Sequence, residues 1–137
     1  MAVAALVAVP RATIVAHVLR GLRTVPDVAG AYLFGSALDD EFRPESDVDL
    51  GLIARPGADV AQVTGDVEWA CRPIRGHFVH ATVLHPRGTI FAYGVIAHGS
   101  LIYCTDQDVV TDLIEVVARH YEEVGPPYRR ALREIYG

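Results

Sequence analysis

Two aspartates one residue apart, Asp47 and Asp49, open an apolar stretch that continues to Ala54. Alternate residues of a β-strand project to the same side, so on a strand both carboxylates share a face. Two like charges held that close repel each other unless a cation lies between them. Hard oxygen ligands in small number suit Mg²⁺, which completes its shell with water and phosphate oxygens. A two-metal version of such a site activates an attacking oxygen and stabilises a leaving pyrophosphate. Upstream, Gly35-Ser36 ends another apolar stretch, where the chain must turn. Glycine permits close backbone approach, and the serine hydroxyl with the following N–H groups can cradle phosphate oxygens. Ser46, directly before Asp47, can orient the first carboxylate or bond the turn. A Gly-Ser pair alone is usually a turn, and an Asp-x-Asp alone is often a solvated edge. Two apolar strands framing both make the combination far more specific than its parts.

The elements that must position these residues follow from the hydrophobic pattern. From Pro10 to about Thr24, Ile14, Val15, Val18, Leu19 and Leu22 recur at helical spacing, with Pro10 suited to a first turn. Ala29 to Phe34 reads as a buried strand, residues 37–46 as a polar loop, and Asp47 to Ala54 as a second strand. Arg55-Pro56-Gly57 breaks the pattern. A helix over Ala58 to Ala70, a strand over Gly76 to Leu84, a helix over Gly88 to His98 and a short strand over Leu101 to Cys104 come next. Asp108 to Val124 is amphipathic, and Gly125-Pro126-Pro127 separates it from a last short helix through Tyr136. This order predicts a single domain over residues 1–137, an α/β (α+β) sandwich with a small sheet of three or four strands and helices mostly on one face.

Composition narrows the partners. The net charge of −5 disfavours long polynucleotides, which ask for a basic surface. There is no lysine, and all 12 cationic side chains are arginine, so a P-loop with its lysine is excluded. Cys71 and Cys104 are too few and too distant for a disulfide framework or a zinc site, and read as buried free thiols. The apolar opening Ala2 to Val9 lacks a basic leader, and no apolar run is long enough for a bilayer, so no membrane association and a cytoplasmic location are expected. His77, His80 and His85 suggest zinc at first sight, but odd separations along a strand put neighbours of the trio on opposite faces. Tyr121, Tyr128 and Tyr136 accompany Arg119, Arg129, Arg130 and Arg133 near the C-terminus. They read either as a helix packing Tyr128, Leu132 and Tyr136 onto the body or as a surface that docks a partner or a second copy.

Phe34-Gly35-Ser36, a gap of ten residues (37–46), and Asp47-Val48-Asp49-Leu50 together resemble the minimal nucleotidyltransferases of the DNA polymerase β superfamily. The resemblance extends over nearly the whole chain, through the leading helix to Gly99-Ser100-Leu101-Ile102-Tyr103. It implies a polymerase β-like nucleotidyltransferase fold with a small mixed sheet and flanking helices. It also implies that Gly35 and Ser36 hold the triphosphate of a nucleotide such as ATP, and that Asp47 and Asp49 hold Mg²⁺. Family members of this kind are often encoded beside a HEPN-domain partner as toxin–antitoxin pairs, and some transfer AMP from ATP to a tyrosine of the toxin.

Two departures from the family pattern bear on catalysis. Where the family has an Arg-Gly pair after Gly-Ser, this chain has Asp39-Asp40, and Arg43 is the only cation in that acidic stretch. Compensation then falls to metal ions or to Arg55, Arg72 or Arg75. The family's third carboxylate, on the next strand, is best matched by His80, and Gly76 to Leu84 contains no Asp or Glu. A neutral imidazole can ligate a metal or act as a base, but suits Mg²⁺ poorly. Two readings follow: a transferase with Asp47, Asp49 and His80 at its centre, or a catalytically weak nucleotidyltransferase-fold module that acts by binding a partner protein. An aminoglycoside-modifying enzyme would need a further substrate domain that 137 residues hardly allow.

Overall fold

A computed structural model describes residues 9–35, 41–42 and 47–136. The elements run β1 (Val9–Pro10), α1 (Arg11–Leu22), β2 (Val28–Phe34), β3 (Glu41–Phe42), β4 (Val48–Ala54), α2 (Val60–Cys71), β5 (Val79–Val83), α3 (Thr89–His98), β6 (Ser100–Cys104) and α4 (Gln107–Tyr136). Four strands form one mixed sheet in the order β5-β4-β2-β6. β2 pairs antiparallel with β4 and with β6, whereas β4 and β5 are parallel, joined by a crossover through α2. β1 and β3 make a separate two-residue ladder.

The sheet is covered on both faces, not mostly on one. Ile14, Val18 and Leu22 of α1 and Val63, Val67 and Cys71 of α2 pack on one side, against Leu33, Val48, Leu50 and Leu52. Ala92 and Val95 of α3 and Val110 and Val117 of α4 pack on the other, against Ala29, Tyr32 and Ile53. The cause is visible in β2 and β4, which are apolar at nearly every position instead of alternating; strands of that kind are buried from both sides. Each fully buried Leu or Ile contributes about 1.5–3 kcal/mol. Gly21 lets α1 and α2 approach, because a Cβ there would sit 2.7 Å from Cys71 Sγ.

Two other elements differ from the sequence reading. The third strand starts at Val79, because residues 74–77 are used in a tight turn: Ile74 and His77 exchange both backbone hydrogen bonds at 2.9 Å, across positive φ at Arg75 and Gly76. His77 and His85 therefore lie outside β5, with His77 buried and His85 exposed. α4 runs unbroken through Pro126-Pro127 for 30 residues. Two prolines remove two intrahelical donors, a loss that water makes good when the helix carbonyls facing them are solvated. The first half of α4 packs on the sheet and on α3, and midway along it Tyr121 stacks on Tyr93 with ring centroids 3.7 Å apart. The side chains of Tyr128, Leu132 and Tyr136 fall outside the described residues. No described helix is long and apolar enough to cross a membrane.

Candidate functional site

The site lies where β4 begins. Val48 and Leu50 point into the α1/α2 core, so Asp49 points to the opposite face. Asp47, two residues earlier and just before the strand, joins it there. Register then aligns three strands in one row: Phe34 of β2 is opposite Asp49 of β4, and Asp49 is opposite His80 of β5. Residues paired in this way project side by side about 5 Å apart. The row therefore reads aromatic, carboxylate, imidazole.

Within it, His80 Nε2 lies 2.9 Å from Asp47 Oδ2, with both side chains about half exposed. On the other side of the ring, His80 Nδ1 is 4.0 Å from Glu68 Oε2. Burial raises the Asp49 carboxyl above its ordinary pKa; the neighbouring His80 opposes that shift, and Asp47 adds to it. Asp49 is thus a carboxylate partly out of water beside a second one, which an opposite charge would relieve.

Gly35 closes the site from β2. Its φ of +73° is a left-handed conformation, and a Cβ there would meet Asp49 Oδ2 at 2.7 Å. Only glycine lets the turn pass this close to the carboxylate. Ser36 and Ser46, expected beside it, lie outside the described residues, as does the acidic stretch at residues 36–40 and 43–46. The structure thus brings Gly35, Asp47, Asp49 and His80 together. Among the described residues, no three His, Cys, Asp or Glu side chains are grouped to hold a metal ion. Asp47 and Asp49 offer two hard oxygen donors on one face, which fits Mg²⁺ drawing its remaining ligands from water and phosphate.

Of the arginines considered as phosphate partners, Arg55 is committed elsewhere. It follows β4 at the far end, donating to Pro26 O at 2.9 Å and pairing with Asp106 at 2.8 Å. Six residues of strand separate it from Asp49, about 20 Å. Arg72 and Arg75, in contrast, sit in the loop between α2 and β5, which leads into the end of the sheet that carries the carboxylates. Both have positive φ, 54° and 50°, and make no ion pair among the described residues.

Two features went unread in the sequence. Glu68 reaches from α2 over the sheet edge, its Oε2 accepting the Ala81 N–H at 3.0 Å. Its only sequence signal is its place beside the buried Val67. The second is a cavity of about 300 Å³ lined by Phe34, Gly35, Ile90, Phe91, Gly94, Val95 and His98. A larger hollow, about 430 Å³, lies at the other end of β4, around Ile53 to Ala58 and α4.

Comparison with known proteins agrees with this fold. The family described as Polymerase beta, Nucleotidyltransferase matches residues 18–108. No curated protein sequence matches the chain. Among solved structures, a chain of the toxin–antitoxin MntA-HepT crystal structure is 17% identical, with a TM-score of 0.61 over 91% of this chain and 98% of that one. A chain of the complex of tri-AMPylated Shewanella oneidensis HEPN toxin with MNT antitoxin is 18% identical, with a TM-score of 0.63 over 93% and 99%. A chain of a toxin–antitoxin structure with AMP-PNP is 17% identical, with a TM-score of 0.65 over 90% and 98%.

Proposed function

Because the chain belongs to the polymerase beta nucleotidyltransferase family, we propose that it transfers a nucleoside monophosphate, AMP from ATP, to a protein hydroxyl. The acceptor is a tyrosine of a HEPN-type toxin, and the chain is the antitoxin of that pair. The observation that carries this reading is the pair Asp47 and Asp49 on one sheet face directly beneath the Gly35 turn. Structures of similar fold support the acceptor: one contains a HEPN toxin bearing three AMP groups, and another contains AMP-PNP.

In this reading Gly35 and Ser36 hold the triphosphate, Ser46 steadies the start of β4, and Asp47 and Asp49 hold Mg²⁺. The metal supplies charge neutralisation at the phosphates and at the departing pyrophosphate. The acceptor oxygen bonds to the α-phosphorus, the bond to the bridging oxygen of the β-phosphate breaks, and pyrophosphate leaves. The hydroxyl proton passes to solvent, while His80, whose Nε2 donates to Asp47 Oδ2 at 2.9 Å, steadies that carboxylate. Positioning and charge neutralisation supply most of the acceleration in such reactions.

The test is incubation with labelled ATP, Mg²⁺ and the product of any HEPN gene encoded beside this chain. Label should move to the partner, and Asp47→Ala or Asp49→Ala should reduce transfer at least 100-fold while leaving the complex intact. One observation favours a second reading, a binding module without turnover: β5 carries no carboxylate, and Glu68 is spent on the Ala81 N–H. Tight complex formation with no label transfer selects that reading. His80→Asp separates the two further, since it restores a carboxylate in the row and should raise Mg²⁺ affinity and any transfer.

A further inference from the structure

The 300 Å³ cavity beside Gly35 has a composition unlike the rest of the site. Phe34 and Phe91 form its wall, edge to face at 5.8 Å and 80°. Phe91 stays half exposed although it is a large aromatic, and a Cβ added at Gly94 would meet nothing within 4 Å. His98 is the one lining side chain with polar atoms. The volume is at the lower end for ligand pockets, enough for a ring system and its immediate attachments. Its position fixes its relation to the carboxylates: Phe34 is the register partner of Asp49, one strand spacing away, and Gly35 belongs to both the cavity and the turn.

Resting on the nucleotide reading above, we propose that this cavity is the nucleobase subsite, and that it takes a purine by stacking against Phe91 and Phe34. A ribose spans the single strand spacing between phosphates at Asp49 and a base at Phe34. The acceptor hydroxyl, which must approach opposite the departing pyrophosphate, has the open Asp47–His80 side of the row. Among the described lining residues His98 is the only polar side chain, so the subsite reads the flat face of the base more than its hydrogen-bonding edge. Every base offers such a face, so adenine and guanine are held almost equally. ATP and GTP should bind within about tenfold of each other, in contrast to sites that pair a base edge with fixed donors and acceptors.

The experiment is calorimetric titration of the full chain with ATP and, separately, inorganic tripolyphosphate, both with Mg²⁺. Tripolyphosphate has no base and reports the turn and the carboxylates alone. Phe91→Ala should weaken ATP roughly 5- to 100-fold, the range for one lost base–aromatic stack, and leave tripolyphosphate unchanged. Gly94→Val fills the cavity from a helical position where valine costs no helix propensity relative to glycine, and should act in the same direction; circular dichroism of both variants verifies folding. ATP binding equal to that of tripolyphosphate in the wild type overturns the inference, as does wild-type ATP affinity in both variants. Unchanged ATP affinity with a raised KM for the acceptor protein assigns the cavity to the acceptor instead and equally overturns it. If neither ligand binds the wild type, the nucleotide reading itself fails and the subsite falls with it.

Discussion

The two ends of β4 are made of the same strand and treated in opposite ways. At the end near Arg55, charge is neutralised: the guanidinium spans Pro26 O and Asp106, and Thr105 Oγ1 donates to Val28 O at 3.0 Å. Three chain segments are tied there by one side chain. At the end near Asp47, two carboxylates face the same way and the answering group among the described residues is His80, half exposed. The first arrangement satisfies its own charges and ties the fold together. Among the described residues the second leaves charge unbalanced within a few ångströms of the left-handed Gly35 turn, an arrangement found where a ligand supplies what is missing. On the proposed function, folding and chemistry are divided along a strand seven residues long.

This division can be broken from either end. Gly35→Ala should have the largest effect, because it forces a Cβ onto Asp49 Oδ2 in a left-handed conformation. Mg²⁺-dependent nucleotide affinity should fall at least tenfold in calorimetry, and the strain of about 1–2 kcal/mol should lower the melting temperature by several degrees. Arg55→Ala should do the reverse. The pair, about one-third exposed, and its hydrogen bonds are worth about 1–2 kcal/mol, so denaturant titration should show that loss while nucleotide affinity stays within twofold. Equal loss of both properties in either variant would mean that the two ends are not independent.

A finer test uses pH. Asp49 has a folded pKa raised above the ordinary carboxyl value of 3.8, chiefly by burial. Its contribution to stability is complete below that value and is lost as the pH rises through the folded pKa. Asp49→Asn should therefore be more stable than wild type at pH 7, with the gain vanishing below the unfolded pKa; a gain that persists in acid would remove burial of the charge as its cause. The smallest effect concerns the thiols. Burial pushes Cys71 up to about 11, while Cys104 is exposed. At pH 8 a maleimide should label one thiol of the native chain quickly, and mass mapping should find it at Cys104.

The parts of this fold with strong local signals were legible in the sequence. The apolar runs gave β2 and β4, helical spacing gave α1, and the Asp-x-Asp pattern placed two carboxylates on one face. His80 was placed beside them by counting residues, and the parallel register of β5 set it opposite Asp49. What escaped depends on contacts between distant segments. Burial of both sheet faces was already implied by the unbroken apolar runs, but which helix covers which face is decided by the crossover. Expecting both cysteines to be buried missed Cys104, which sits exposed on the edge strand β6. Glu68 has no pattern of its own, since its role is a bond to a backbone N–H thirteen residues away. The Phe34–Phe91 wall likewise joins residues 57 positions apart in the chain.

The row Phe34–Asp49–His80 also has an evolutionary consequence. Its middle and outer seats are set by backbone register, and the core below them is built by the residues between, Val48, Leu50, Val79 and Ala81. The identity of the residue at position 80 can therefore change without disturbing the scaffold. A histidine codon becomes an aspartate codon by a single base substitution at its first position. A lineage carrying this fold is one mutation from exchanging an imidazole for a carboxylate beside the same pair. Turnover can be lost, kept low or regained far more readily than the architecture that houses it.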